Sequence, residues 1–263
     1  MLIQHKDDQV RFNQQVENAE SYVLPFLEAS HTIHAGTTVL EVGCGEGGVL
    51  KPFLDRGCRC TGVDLNEDRI RLAKEFLEAA LHKGQVDLLT QNIYEPEFRD
   101  TYKGAFDIII LKDVIEHVPG QGQFIAYLAT FLKEGGQIFF GFPPWYMPFG
   151  GHQQVCQHKL ISKLPYFHIL PKPIYRGILK MAGERKEVVN ELMEIWDTSI
   201  TIGQFEGFVR KAGLKVVHKQ HYLINPIYRY KFGLQPRKQW GPIGHIPFLR
   251  NFVTTCVYYT VGK

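Results

Sequence analysis

Thr38-Val39-Leu40-Glu41-Val42, running directly into Gly43-Cys44-Gly45-Glu46-Gly47-Gly48, is the stretch on which the fold turns. A short β-branched run that stops at a glycine cluster reads as a buried strand entering a strand-to-helix turn, where absent side chains let a ligand lie against backbone amides. The pattern repeats outward from it. Cys60-Thr61-Gly62-Val63-Asp64 precedes a helical pattern from Arg69 to Ala80, with Ile70, Leu72, Ala73, Phe76, Leu77 and Leu81 on one face. Val86-Asp87-Leu88-Leu89 leads to Asn92, and Phe106-Asp107-Ile108-Ile109-Ile110-Leu111 is nearly continuous in apolar residues, as a strand covered on both faces should be. Gln137 to Phe142 reads as a fifth strand, Leu214 to His218 as a sixth after a helix over Ile202 to Ala212, and Val253 to Val261 as the last. Strands separated by helix-length segments imply right-handed crossovers. The expected fold is α/β: a doubly wound, Rossmann-like, mostly parallel seven-stranded sheet with helices on both faces and the last strand antiparallel.

The alternation fails twice. Residues 143–200 are rich in Pro, His, Tyr and Lys without a clean period, and read as a lid inserted after the fifth strand; residues 225–250 read as a second loop on the substrate side. Residues 1–37 are expected to form an N-terminal helical cap on a single domain spanning 1–263. With 263 residues, 44% apolar and 22% charged, the chain is long enough for a large core, and a formal charge of +3 is too weak to make nucleic acid or membrane the main partner. The first eight residues turn polar where a secretion signal runs apolar, no stretch is long enough to span a bilayer, and five scattered cysteines lack a C-x-x-C, so a cytoplasmic chain with reduced thiols is expected.

Gly43, Gly45 and Gly48 satisfy G-x-G-x-x-G, and Asp64 is the acid that grips ribose hydroxyls after the second strand. Both nicotinamide and S-adenosyl nucleotides are bound this way. Glu41 two residues before the first glycine, Asn92-Ile93 after the third strand and Asp107 opening the fourth tip the balance. Val39 to Gly47, Gly62-Val63-Asp64, Phe106 to Ile109, Asp113-Val114-Ile115-Glu116-His117-Val118 and Leu132 to Gly136 together resemble class I S-adenosylmethionine-dependent methyltransferases, and among them the ubiquinone-biosynthesis type. The resemblance covers residues 36–142 and resumes over 203–217. It implies S-adenosylmethionine as cofactor, with Gly43, Cys44 and Gly45 passing under its methionine part, Asp64 on both ribose hydroxyls beside Leu65, and Asn92 with the Ile93 amide on the adenine edge. Lys112 and Asp113 would border the amino-acid end, and Glu41 is a further cofactor-binding candidate. Asn92 departs from the family's usual aspartate, which implies a weaker, uncharged bond there.

A sulfonium methyl is already activated, so the protein must hold the nucleophile in line and remove a proton from a hydroxyl or amine. Two histidines qualify as the base: His117, four residues after Asp113 and hence on the same helical face, and the favoured His152, behind Gly150-Gly151 just past the fifth strand. Each could equally be a hydrogen-bonded structural histidine. His152, Cys156 and His158 are zinc-ligand types without a fourth partner or a common spacing, so no metal is expected. Lys159, Lys163, Lys172, Arg176, Lys180, Arg185 and Lys186, and further on Arg229, Lys231, Arg237, Lys238 and Arg250, interleave with aromatics such as Tyr166, Tyr228 and Trp240. Such segments suit an anionic or amphiphilic small-molecule acceptor or transient contact with acidic lipid, or form a solvated rim. No nucleic acid and no obligate protein partner is expected. The competing readings are a nicotinamide-dependent oxidoreductase and a catalytically silent cofactor-binding module.

Overall fold

In a computed structural model, which describes residues 7–263, the sheet contains the seven expected strands and one more. They are β1 (Thr38–Val42), β2 (Arg59–Asp64), β3 (Val86–Thr90), β4 (Phe106–Lys112), β5 (Leu132–Phe142), β6 (Lys215–Ile224), β7 (Arg237–Lys238) and β8 (Cys256–Gly262), in the order β3-β2-β1-β4-β5-β8-β6-β7. β1 to β5 run parallel, and β8 is antiparallel to both of its neighbours. The added strand β7 is two residues long and pairs with Tyr222 and Ile224 at the sheet edge. Two exposed basic residues carry no alternation from which a strand could have been read.

The order reverses between β1 and β4, so the chain leaves the sheet in opposite directions from these adjacent strands and opens a crevice at their carboxyl ends, the place where such sheets bind ligands. Apolar residues of the central strands alternate between two cores. Leu40, Ile109, Phe140 and Tyr259 pack on one face with Phe124, Phe131, Phe205 and Val209, while Val39, Ile108, Ile110 and Phe139 pack on the other with Val23, Phe53, Ile70 and Phe12. The helix expected over 69–80 is interrupted: Glu67–Phe76 and Glu78–His82 are separate, because Leu77 leaves the helical region at φ −109° and ψ 18° to bury its side chain.

The segment after β5 is not the aperiodic stretch that its composition suggested. It holds the helices Lys172–Met181 and Lys186–Asp197 and three short 3-10 turns, around a third core of Trp145, Cys156, Ile161, Phe167, Tyr175, Leu179, Val188, Leu192 and Met193. Its polar residues lie between apolar ones that face this small core instead of the sheet, which blurs the period. Leu192 is fully buried there. Leu192→Ala should destabilise the protein by about 3 kcal/mol through lost transfer energy and the cavity left behind, as measured by chemical denaturation.

Residues 225–250, expected as a loop, contain the short helices Tyr228–Phe232 and Gly241–Gly244 and the start of Leu249–Phe252. The last is tied to the sheet by charge. Arg250 Nη2 and Lys219 Nζ donate to opposite oxygens of Glu206 at 2.7 and 2.9 Å, and Tyr259 Oη donates at 2.8 Å. Burial opposes ionisation of Glu206, but these donors hold its carboxyl down at about 2.

Candidate active site

Three glycines of the turn after β1 adopt left-handed backbone, Gly43 at φ 72°, Gly45 at 53° and Gly47 at 78°. A Cβ on Gly43 would lie 2.6 Å from Val114 Cγ2, so conformation and space both demand glycine there. The Gly43 and Cys44 amides donate to the Val63 carbonyl at 2.8 and 3.0 Å, which lays the turn across the end of β2. The Gly45 amide then donates to Asp64 Oδ2 at 2.9 Å and the Asn66 amide to Oδ1 at 2.9 Å. Two backbone amides thus anchor the Asp64 carboxylate at the strand tip, beside the exposed side chain of Leu65.

Glu41 is buried beneath this turn, and burial pushes its carboxyl well above the usual range, with Lys112 only partly offsetting it. At the end of β4, Lys112 Nζ lies 2.5 Å from Asp113 Oδ2. Burial disfavours both charges, yet the pairing prevails: the lysine is held above its ordinary value and Asp113 below its own. Asn92 accepts from the Tyr94 amide through Oδ1 at 3.0 Å, and the carbonyl of buried Ile93 accepts from Tyr127 Oη at 2.7 Å. Tyr94 stacks on Tyr127 with ring centroids 4.9 Å apart, next to the Asn92 edge.

One contact to the turn carried no sequence signal. Glu46 is fully buried and pairs with Arg11 of the helix Asp8–Asn18, which lies directly on the turn: a Cβ on Gly48 would approach the Phe12 carbonyl oxygen to 2.7 Å. A lone arginine thirty-five residues upstream gives no pattern from which that pairing could be read.

The two candidate histidines come together, though not as their spacing implied. Asp113 is left-handed at φ 57°, and Ile115–His117 is a single 3-10 turn, so no helical face joins Asp113 to His117. Instead His152, itself left-handed at φ 56° after Gly150-Gly151, brings its ring centroid within 5.1 Å of that of His117. Gly151 is packed so tightly that a Cβ there would lie 2.2 Å from His168 Cβ. Burial lowers the pKa of both histidines, that of His152 to about 4. Glu116, which sequence reasoning passed over in favour of its neighbour, is buried against them with its carboxyl pushed well upward by burial and by Asp113. Its backbone is fixed by Thr198 Oγ1, which donates to the Glu116 carbonyl at 2.6 Å. Cys156 and His158 do not join His152. The thiol lies in the third core, where burial pushes it up to about 12, and the His158 amide donates to Glu184 at 2.8 Å.

Two buried histidines elsewhere, His168 and His221, make stability depend on pH. Burial lowers His168 and His221 to about 4, against about 6.5 for an imidazole in the unfolded chain. Between these values the unfolded chain takes up protons that the folded one refuses, so this contribution is complete above pH 6.5 and is lost as pH falls toward 4. His168 Nε2 donates to the Trp145 carbonyl at 2.7 Å. Glutamine at this position keeps a donor but does not titrate, so the Tm advantage of wild type over His168→Gln should shrink between pH 7.5 and 5. Parallel Tm curves would show that His168 does not titrate differently on folding.

Residues 40–140, which contain the glycine turn, Asp64, Asn92, Asp113 and Glu116-His117, match the methyltransferase domain family. The matched segment, less than half of the chain, is similar to a methyltransferase domain. Over 112 residues the chain is 36% identical to a ubiquinone biosynthesis O-methyltransferase of Nitrosococcus oceani, covering 42% of this chain and 45% of that protein. The namesake from Dechloromonas aromatica is 38% identical over 106 residues, covering 40% and 44%. The chain thus matches less than half the length of these curated relatives. Among solved structures, the methyltransferase fold is shared with geranyl diphosphate C-methyltransferase of Streptomyces coelicolor, at TM-score 0.56 and 14% identity over 92% of this chain and 80% of that one. It is shared also with phosphoethanolamine N-methyltransferase 2 of Haemonchus contortus, at TM-score 0.58 and 13% identity over 99% and 58%.

Proposed function

We propose that this protein is a class I S-adenosylmethionine-dependent methyltransferase that transfers the methyl group to the oxygen of a small, amphiphilic or lipid-like acceptor. The observation that carries the reading is a single crevice at the carboxyl ends of the parallel strands. The Asp64 carboxylate that two amides anchor at the end of β2, and the His117–His152 pair past the ends of β4 and β5, both stand at that carboxyl edge. Asp64 accepts the ribose hydroxyls, Gly43, Cys44 and Gly45 lie under the methionine part, and Leu65, Asn92 and Ile93 border the adenine. Glu41, Lys112 and Asp113 line the amino-acid end.

When bound, the cofactor supplies a methyl group on positively charged sulfur. Methyl transfer from it to an acceptor oxygen would leave the sulfur as a neutral thioether, with Gly43, Cys44, Gly45 and Asp64 holding the donor. The hydroxyl proton must leave, and His152 and His117 stand where it is handled. An oxygen acceptor agrees with the names of the relatives that the matched segment resembles.

Amphiphilic character is supported by the segments beyond β5. Tyr166, Ile169, Leu170, Pro171 and Phe252 line an apolar cavity of about 400 Å³, Leu160 and Met181 are exposed next in the chain to Lys159 and Lys180, and Phe248 is exposed beside Phe252. This combination favours an apolar tail on the acceptor and transient contact with acidic lipid. No described helix is long and apolar enough to cross a membrane. A reducing, cytoplasmic setting agrees with five buried, unpaired cysteines.

Isothermal titration with S-adenosylmethionine, S-adenosylhomocysteine and NADH tests the cofactor. The expected result is micromolar binding of the two sulfur nucleotides and none of NADH, followed by label transfer from methyl-labelled donor to hydroxyl acceptors with apolar tails. Binding of NADH alone would overturn the reading.

A further inference from the structure

The helix Asp8–Asn18, which rests on the glycine turn through Phe12 and the Arg11–Glu46 pair, also carries a second helix. Gln14 Nε2 donates to the Tyr230 carbonyl at 3.3 Å, and Tyr230 Oη donates to the Glu17 carbonyl at 3.2 Å, with Ser21 Oγ 3.3 Å away. These bonds fasten the helix Tyr228–Phe232 of the second loop to the N-terminal one. It is five residues long and ends at Gly233 in left-handed backbone at φ 69°, so its placement comes from that fastening and not from its own length.

The fastened helix turns one face to the end of β4. Tyr228 and Lys231 stand three residues apart and hence on the same side. Burial raises Tyr228 to about 12, with Cys256 and Asp113 adding to it. Lys231 is half-buried: burial lowers its pKa, Asp113 opposes that, and Lys112 and Arg11 add to the lowering. Burial pushes Asp113 up, but Lys112 and then Lys231 and His152 bring it below its ordinary value. Lys231 therefore shares one cluster with Asp113, Lys112 and Arg11. Asp113 itself adjoins the glycine turn, since its neighbour Val114 packs on Gly43.

The amino-acid end of S-adenosylmethionine is a zwitterion, with an ammonium that needs an acceptor and a carboxylate that needs a cation. The groups that border it from the sheet are two acids, Glu41 and Asp113, and Lys112, whose Nζ already lies 2.5 Å from Asp113 Oδ2. Two lysines around the one Asp113 carboxylate form a setting that a second carboxylate completes. We propose that Lys231 is a cofactor-binding residue whose ammonium donates to the carboxylate at the amino-acid end of S-adenosylmethionine. The assignment rests on the methyl-transfer reading for the cofactor and deepens it. Lys231 lies far outside the residues 40–140 that match the family, so the segment 225–250 serves the methyl donor as well as the acceptor.

The test is isothermal titration of the full chain with S-adenosylhomocysteine and with its decarboxylated form, which keeps the adenosine, the thioether and the amine; weak binding is read by displacement of S-adenosylhomocysteine. Wild type should bind S-adenosylhomocysteine at least about tenfold tighter than the decarboxylated form, the loss expected for one charge-assisted hydrogen bond. In Lys231→Met that preference should fall below about twofold, through weaker S-adenosylhomocysteine binding with the decarboxylated ligand unchanged, and Lys231→Arg should keep most of it. Lys238→Met, on the exposed strand β7, should leave both affinities as in wild type. A wild-type preference near one, which needs no variant to fold, would overturn the assignment, as would a preference that survives in Lys231→Met. Equal weakening of both ligands in Lys231→Met would make Lys231 a structural lysine and overturn it too. Binding of neither ligand to wild type would instead overturn the methyl-transfer reading.

Discussion

With Asp64 accepting the ribose hydroxyls as proposed, Asp64→Ala should lower the affinity for S-adenosylhomocysteine at least about a hundredfold, close to 3 kcal/mol, in isothermal titration. The magnitude follows from two ribose hydroxyls donating to one carboxylate, each charge-assisted bond contributing roughly 1.5–3 kcal/mol. The carboxylate is set in place by the Gly45 and Asn66 amides, so removing it also loosens the glycine turn. Asp64→Asn retains an acceptor oxygen without the charge, and its loss should be nearer tenfold. Near-wild-type affinity in Asp64→Ala would remove the ribose from this strand tip.

The second large effect is on turnover. His152→Ala should reduce kcat about a hundredfold or more with any acceptor found by label transfer, while S-adenosylhomocysteine affinity stays within about twofold. The histidine stands against His117 and makes none of the bonds that anchor the glycine turn, so its removal leaves that turn in place. An unchanged kcat would take His152 out of the chemistry. A matching loss of cofactor affinity would make it a structural histidine.

What could be read in advance follows from the range of the interactions concerned. The strand positions β1 to β4 and the glycine turn were legible because burial on both faces forces a continuous apolar run, and a ligand-bearing turn forces glycine where the backbone is left-handed. Asp64 and Asn92-Ile93 stand at fixed offsets from those strands, so their places followed from the strands themselves. The helices at 172–181 and 186–197 were not legible, because their apolar residues face a small core closed within the insertion and not the sheet.

The site divides along the same line. The sequence by itself determined the doubly wound sheet, the glycine turn and the acid at the tip of β2, because each depends on backbone conformation and burial within a few residues. Only the tertiary structure decided that Arg11 reaches Glu46, that Arg250 latches onto Glu206, and that His152 meets His117 beside a buried Glu116. These pairs join residues 35 to 44 positions apart, and nothing local couples them: Asp113 and His152 leave the regular backbone at left-handed turns, and the paths between are set by packing against β5 and the third core. A charge or a ring in such a place acquires its partner from the fold.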